Sequence, residues 1–152
     1  MPTSLTNTLP IARSAADVYA YVTQPWRWHE WHPNSKSATS NVDILKEGDT
    51  FDEVIEVQPL SPLPVTLRRA THYRVLVARP GKLWQVRGET ADGWLEIRYE
   101  LSEENGGTRF TRTLTFETRG TSRLLMPFLK PRMARMSEIA LGNLRRKLEA
   151  GT

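Results

Sequence analysis

Residues 122–150 read SRLLMPFLKPRMARMSEIALGNLRRKLEA, and this stretch decides the fold. Leu125, Leu129, Met133, Met136, Ala140, Leu144 and Leu148 recur at steps of three or four, so a helix carries them as one apolar stripe. Such a stripe is stable only where it covers something. Arg132, Arg135, Glu138, Arg145, Arg146 and Lys147 fall on the opposite side, which suits a helix lying on the protein with one face in water. Pro127 and Pro131 come near the start, where a missing N–H costs least. They predict a broken or kinked first turn and an unbroken run from about Arg132. At about 1.5 Å per residue that run is roughly 27 Å long, enough to cross most of a small sheet.

What the helix covers is written upstream, because residues 41–117 read as strands. Phe51, Ile55 and Val57 alternate with Asp52, Val54 and Glu56. Leu67, Arg69, Thr71, Tyr73, Val75 and Val77 alternate with Arg68, Ala70, His72, Arg74, Leu76 and Ala78 in a long strand starting at Val65 and broken at Arg79-Pro80-Gly81. A strand over 83–88 ends near Asp92-Gly93, and one carrying Leu95, Ile97, Tyr99 and Leu101 ends at Asn105-Gly106-Gly107; both endings are hairpin signals. Phe110, Arg112, Leu114 and Phe116 alternate with threonines in the last strand. Hairpins at this spacing make the sheet antiparallel, and such sheets commonly bury one face. Between the first two of these strands, Pro59, Pro62 and Pro64 interleave with Leu60 and Leu63 in a stiff loop, a candidate lid.

Before the sheet, Leu5, Leu9 and Ile11 suggest a first strand stopped at or just after Pro10. Ser14, with Asp17 three residues on, caps a short helix carrying Val18, Tyr19 and Val22. Pro25 then opens a second short helix bearing Trp26, Trp28 and Trp31 and ending at His32-Pro33. Three tryptophans in six residues either plug one end of the sheet or form the wall of a pocket, and the two readings are compatible.

A chain of 152 residues, 39% apolar and 25% charged, fits one domain, residues 1–152. No apolar run approaches the ~20 residues of a membrane span, and residues 1–10 lack the pattern of a secretory leader, so a cytoplasmic location is expected. The absence of cysteine excludes disulfides, thiolate catalysis and cysteine-based zinc sites. Net charge is +4, and it is concentrated. Residues 119–150 hold eight basic side chains against two acidic ones, a net of +6, leaving −2 elsewhere. That charge is either a solvated helix face or a surface for peripheral contact with an anionic membrane or an acidic partner; no nucleic-acid motif accompanies it.

The order of elements, the segments Ala15-Ala16-Asp17-Val18-Tyr19 and Trp28 to Trp31-His32-Pro33, the Gly106-Gly107-Thr108-Arg109 hairpin and the Leu144 to Leu148-Glu149 ending resemble the SRPBCC superfamily. The branch is the polyketide cyclase/dehydratase-like one, related to START lipid-transfer domains and the birch-pollen allergen fold. The resemblance covers essentially the whole chain. It implies an α+β helix-grip fold: a curved antiparallel sheet of about seven strands, two short N-terminal helices, and one long C-terminal helix across a cavity for a hydrophobic ligand. It implies no shared catalytic motif, because members differ in activity.

If the apolar parity faces the helix, Phe51, Tyr73, Trp84, Tyr99, Phe110 and Leu114 point inward, and the same parity carries Glu53, Arg69, Thr71 and Arg112 with them. Buried unpaired charge costs several kcal/mol, so these groups pair with each other, reach solvent at the rim, or hold a polar group of a ligand. In the first case Glu53 bridges to Arg69 or Arg112. In the last, an arginine anchors a carboxylate, phosphate or enolate while aromatics grip a ring or chain. Trp28 and Trp31 at the mouth, and Met133 and Met136 on the helix, complete the expected ligand wall. His29 and His32 fall three apart, but His72 lies on the opposite strand face and no metal-ligand signature is present, so neither a metal nor another cofactor is expected.

Three functions follow as expectations. The first is binding, transport or sequestration of a hydrophobic or aromatic small molecule or lipid, by a monomer or homodimer. The second is a metal-free cyclase or dehydratase using Tyr73, Tyr99, Arg112 or His32 for acid–base work. The third is an interaction module docking through the basic helix.

Overall fold

The computed structural model describes residues 2–57 and 66–151; Val65 and the proline-rich loop expected as a lid lie outside the described residues. β1 (Thr3–Ile11) is followed by α1 (Ala15–Val22), a 3-10 turn (Pro25–Glu30) and β2 (Ser35–Thr39). Then come β3 (Thr50–Val57), β4 (Leu67–Arg79), β5 (Leu83–Thr90), β6 (Gly93–Glu104) and β7 (Gly107–Thr118). A 3-10 segment (Gly120–Leu125) leads into α2 (Met126–Glu149). The strands form one curved, antiparallel seven-stranded sheet in the order β1-β7-β6-β5-β4-β3-β2. This is the expected α+β architecture.

Alternation decides which face is wet. Ser4, Thr6 and Thr8 on β1 meet Thr115, Thr113 and Thr111 on β7 through hydroxyl pairs at 3.0, 3.3 and 3.0 Å on the outer face. Their neighbours Phe110, Arg112, Leu114 and Phe116 turn inward and are buried. Pro10 lies within β1, tolerable because β1 is an edge strand. Asn105 (φ 50°) and Gly106 (φ 80°) make the expected left-handed turn between β6 and β7.

Several local expectations change. The second short helix is a 3-10 turn that stops at Glu30, leaving Trp31 beyond it. The Ser14 hydroxyl accepts from the Asp17 N–H at 3.1 Å as a cap, but the Asp17 carboxylate turns to Arg13, at 3.0 Å. The β5–β6 turn is Ala91-Asp92, with Thr90 and Gly93 paired; Gly93 is required because a Cβ there would meet the Glu117 carbonyl oxygen at 2.1 Å. A bulge between Val75 and Val77 shifts the parity of β4, so Ala78, not Val77, pairs with Trp84 and packs against the core. Finally, α2 runs without a break from Met126, six residues before the expected unbroken run, with Pro127 in its first turn and Pro131 inside. Pro131 removes one N–H from the early helix without ending it.

α2 meets the sheet unequally along its length. Toward its C-terminus Ala140, Leu141, Leu144 and Leu148 are buried against Ile11, Val18, Val22 and the aromatic layer of the sheet. That end is also fastened: Arg13 Nη1 donates to the Leu148 carbonyl at 2.6 Å, and the Ala12 N–H donates to Glu149 at 2.9 Å. Toward the N-terminus Leu129 is buried, while Met133 and Met136 are only partly so.

Candidate functional site

A cavity of about 160 Å³ opens between the N-terminal half of α2 and the ends of β3 to β7. Its walls are mainly apolar: Ile55, Leu67, Ile97, Leu114 and Phe116 from the sheet, Met126, Leu129, Met133 and Met136 from the helix side, and Trp28 and Trp31 from the 3-10 region. Asn34, Leu129, Met133 and Met136 also border an outer groove beside Pro127 and Phe128.

A polar belt crosses the cavity where packed core gives way to open space. Glu53, 5% exposed, accepts from the Ser35 hydroxyl at 2.7 Å and the Tyr73 hydroxyl at 3.2 Å. Arg112, also 5% exposed, donates from Nη1 to Ser137 Oγ at 3.1 Å, and its Nε has no partner among the described residues. Tyr99 is paired with Arg112 across β6 and β7, and His32 stands close enough to feel the guanidinium charge. The Tyr73 ring is placed by a missing side chain: a Cβ on Gly88 would lie 2.8 Å from the ring, so only glycine lets it settle over β5 with its hydroxyl at Glu53.

Burial sets the protonation of this belt. It pushes the Glu53 carboxyl up to about 7, with the bonds from Ser35 and Tyr73 and the Arg112 charge holding it back from rising further. It pushes His32 down to about 3, assisted by the Arg112 charge, so the imidazole is neutral. His32 Nδ1 accepts from the Asn34 N–H at 3.2 Å, which leaves its hydrogen on Nε2. Burial raises both the Tyr73 and Tyr99 hydroxyls, so both stay protonated; at Tyr99, Arg112 pulls the other way.

The expected wall divides. Trp28, Trp31, Glu53, Arg69, Tyr73, Tyr99, Arg112, Leu114, Met133 and Met136 line the cavity, and so does His32. Phe51, Trp84 and Phe110 do not. They share the inward parity but sit in a packed aromatic layer of the core. There Phe51 stacks on Tyr73 (4.6 Å), Trp84 on Tyr99 (5.3 Å), and Trp28 stands edge-on to Phe51, Tyr73 and Trp84. Trp28 therefore both plugs and lines.

Of the three arrangements open to the inward charges, the bridge from Glu53 to an arginine is not formed. Arg69 pairs with Asp92 at 2.9 Å, its side chain 33% exposed at the rim, and Arg112 turns to α2. His72 faces outward onto Asp52 at 2.8 Å and His29 is exposed; among the described residues no three histidine or acidic side chains converge as metal ligands. Ser35, Ser137 and Gly88 were not foreseen as site residues. Ser137 had a signal, a small polar residue within the apolar stripe of α2; Ser35 had none, because β2 is too short to show a period.

A curved antiparallel sheet closed by a C-terminal helix, with a cavity between them, defines the helix-grip class of the SRPBCC superfamily. The chain belongs to the polyketide cyclase / dehydrase and lipid transport family, whose model matches residues 2–149. No curated protein matches the sequence. Among solved structures, TTHA0849 from Thermus thermophilus is 17% identical, with 99% of this chain and 100% of that one covered at a TM-score of 0.73. The Zhui aromatase/cyclase from Streptomyces sp. R1128 is 13% identical over 98% and 94%, TM-score 0.72. DR_A0006 from Deinococcus radiodurans is 16% identical over 99% of each chain, TM-score 0.71. At these identities the likeness is one of fold.

Proposed function

We propose that the protein binds a hydrophobic small molecule about one ring in size in the cavity under the N-terminal half of α2. The observation that carries this reading is the cavity itself, about 160 Å³ with mainly apolar walls inside an otherwise packed interface. Interior space forgoes about 24 cal/mol per Å³ of packing, on the order of 4 kcal/mol for a volume like this one. Larger side chains at Thr71 or Ser137 would recover much of it. An apolar cavity of this size takes a single aromatic ring. A long acyl chain needs the N-terminal half of α2 to move outward. Titration with toluene, followed by NMR, is expected to shift Ile97, Leu114, Met133 and Met136 and leave the Phe110 layer unmoved. Shifts scattered over the surface, or none, contradict the reading.

A second reading draws on Glu53. A carboxyl held near neutrality beside the Tyr73 hydroxyl suits acid–base work on a bound ring, as a cyclase or dehydratase requires. It calls for turnover, such as loss of water from a one-ring β-hydroxyketone, that collapses in Glu53→Gln; a rate unchanged by that substitution removes it.

A further inference from the structure

The polar side of the cavity is built from donors. Arg112 is a permanent cation with an unused Nε–H, and two of the acidic groups on the wall are engaged elsewhere: Glu53 with Ser35 and Tyr73, Asp92 with Arg69. Trp31 Nε1 and Thr71 Oγ1 are likewise buried without a partner among the described residues, and both residues line the cavity. His32, neutral, adds an Nε2–H. A buried guanidinium among unfilled donors is suited to an acceptor, and best to a negatively charged planar one.

Glu53 decides whether such a ligand is welcome. Ionised, it offsets the Arg112 charge and repels an anion; protonated, it leaves the Arg112 charge without a counterion in the belt of Glu53, Tyr73 and Tyr99. The groups facing it are Arg112 from β7, Tyr73 from β4, Tyr99 from β6 and the Ser35 hydroxyl, and His32, ahead of β2, lines the same cavity beside Arg112. α2 adds Ser137 and methionines but no ionisable side chain to the cavity wall, while Arg69, Asp92 and Glu117 also line it, the first two as an ion pair.

We propose that the cavity takes a single-ring organic carboxylate seated against Arg112, and that Glu53 picks up a proton from solvent as the anion binds. This rests on the small-molecule reading above and adds to it the ligand's charge and a proton. The same geometry explains why an unpaired arginine is kept in an apolar cavity.

The probes are benzoate, ionised throughout the range used, and toluene, its neutral counterpart. Calorimetry on the full chain is expected to show benzoate binding about thirtyfold more weakly at pH 8.5 than at pH 5.5. Buffers of different ionisation enthalpy should reveal uptake approaching one proton at pH 8.5 and almost none at pH 5.5. Toluene affinity should be flat with pH. Glu53→Gln should fix benzoate binding at its low-pH strength, and Arg112→Leu should lose benzoate by more than tenfold while keeping toluene. Proton uptake in the unaltered protein does not depend on whether either variant folds. Toluene binding without benzoate binding, or benzoate affinity independent of pH, overturns the carboxylate proposal and leaves the small-molecule reading standing. Binding of neither overturns both.

Discussion

The two halves of α2 face the same sheet and do opposite things. From Ala140 to Leu148 the helix is buried in the same core cluster as the aromatic side chains of five strands and is tied down at its last turn by Arg13 and by the Ala12 N–H. From Met126 to Met136 it stands off, over a wall in which Thr71, Ile97 and Leu114 stand among Tyr73, Tyr99 and Phe116. Stacked rings fill the closed end, the open end is hollow, and the belt of Glu53, Tyr73, Tyr99 and Arg112 marks the seam. The closed end supplies stability that the open end gives up.

That contrast can be broken by truncation. Phe110→Ala in the closed end is expected to cost about 3–5 kcal/mol, and Met136→Ala over the cavity about 1 kcal/mol, measured by urea denaturation. Equal costs would mean that the two halves are packed alike.

The seam can be sharpened by pH. Glu53 is raised from 4.5 to about 7, so the stability it contributes is complete below pH 4.5 and lost as pH rises toward 7. His32 is lowered from 6.5 to about 3, so its contribution is complete above pH 6.5 and lost as pH falls toward 3. Between pH 4.5 and 6.5 the two slopes oppose each other and stability is nearly flat. Glu53→Gln should uncover a rise of about 3 kcal/mol across that window, and His32→Asn a fall of similar size. Parallel profiles for both variants would contradict the assignment.

A smaller effect is expected at Gly88. A methyl there collides with the Tyr73 ring, so Gly88→Ala should cost about 1–3 kcal/mol by overpacking. It should also weaken the Tyr73 bond to Glu53, visible as a shifted carboxyl resonance in a pH titration. An unshifted Glu53 would show that the ring is placed by something else.

Most of the architecture was legible in the sequence because it is periodic. The inward rows of β3, β6 and β7 follow from period two, and the α2 stripe from steps of three and four. The changes come where something non-periodic decides. The bulge at Val75 and Val77 leaves no trace in an alternating run, and Pro127 and Pro131 read as a break in an early helix that runs through them. Leu45, buried in the core from a loop, belongs to no pattern. The site was legible in parity but not in depth. Phe110, Arg112 and Leu114 all point inward, yet one packs solid and two line space, because the gap to α2 varies along the strand. The same depth problem hides the Ser35 and Ser137 contacts that stand in place of a Glu53–arginine bridge.

The central claim is that the N-terminal half of α2 stands off the sheet and leaves a ring-sized apolar space. A crystal of the protein soaked in iodobenzene tests it most directly, through the anomalous signal of iodine. The account predicts one strong peak between Thr71, Ile97 and Met133, with α2 unmoved. A peak confined to the surface, with side chains of the sheet and helix filling the space, would contradict it.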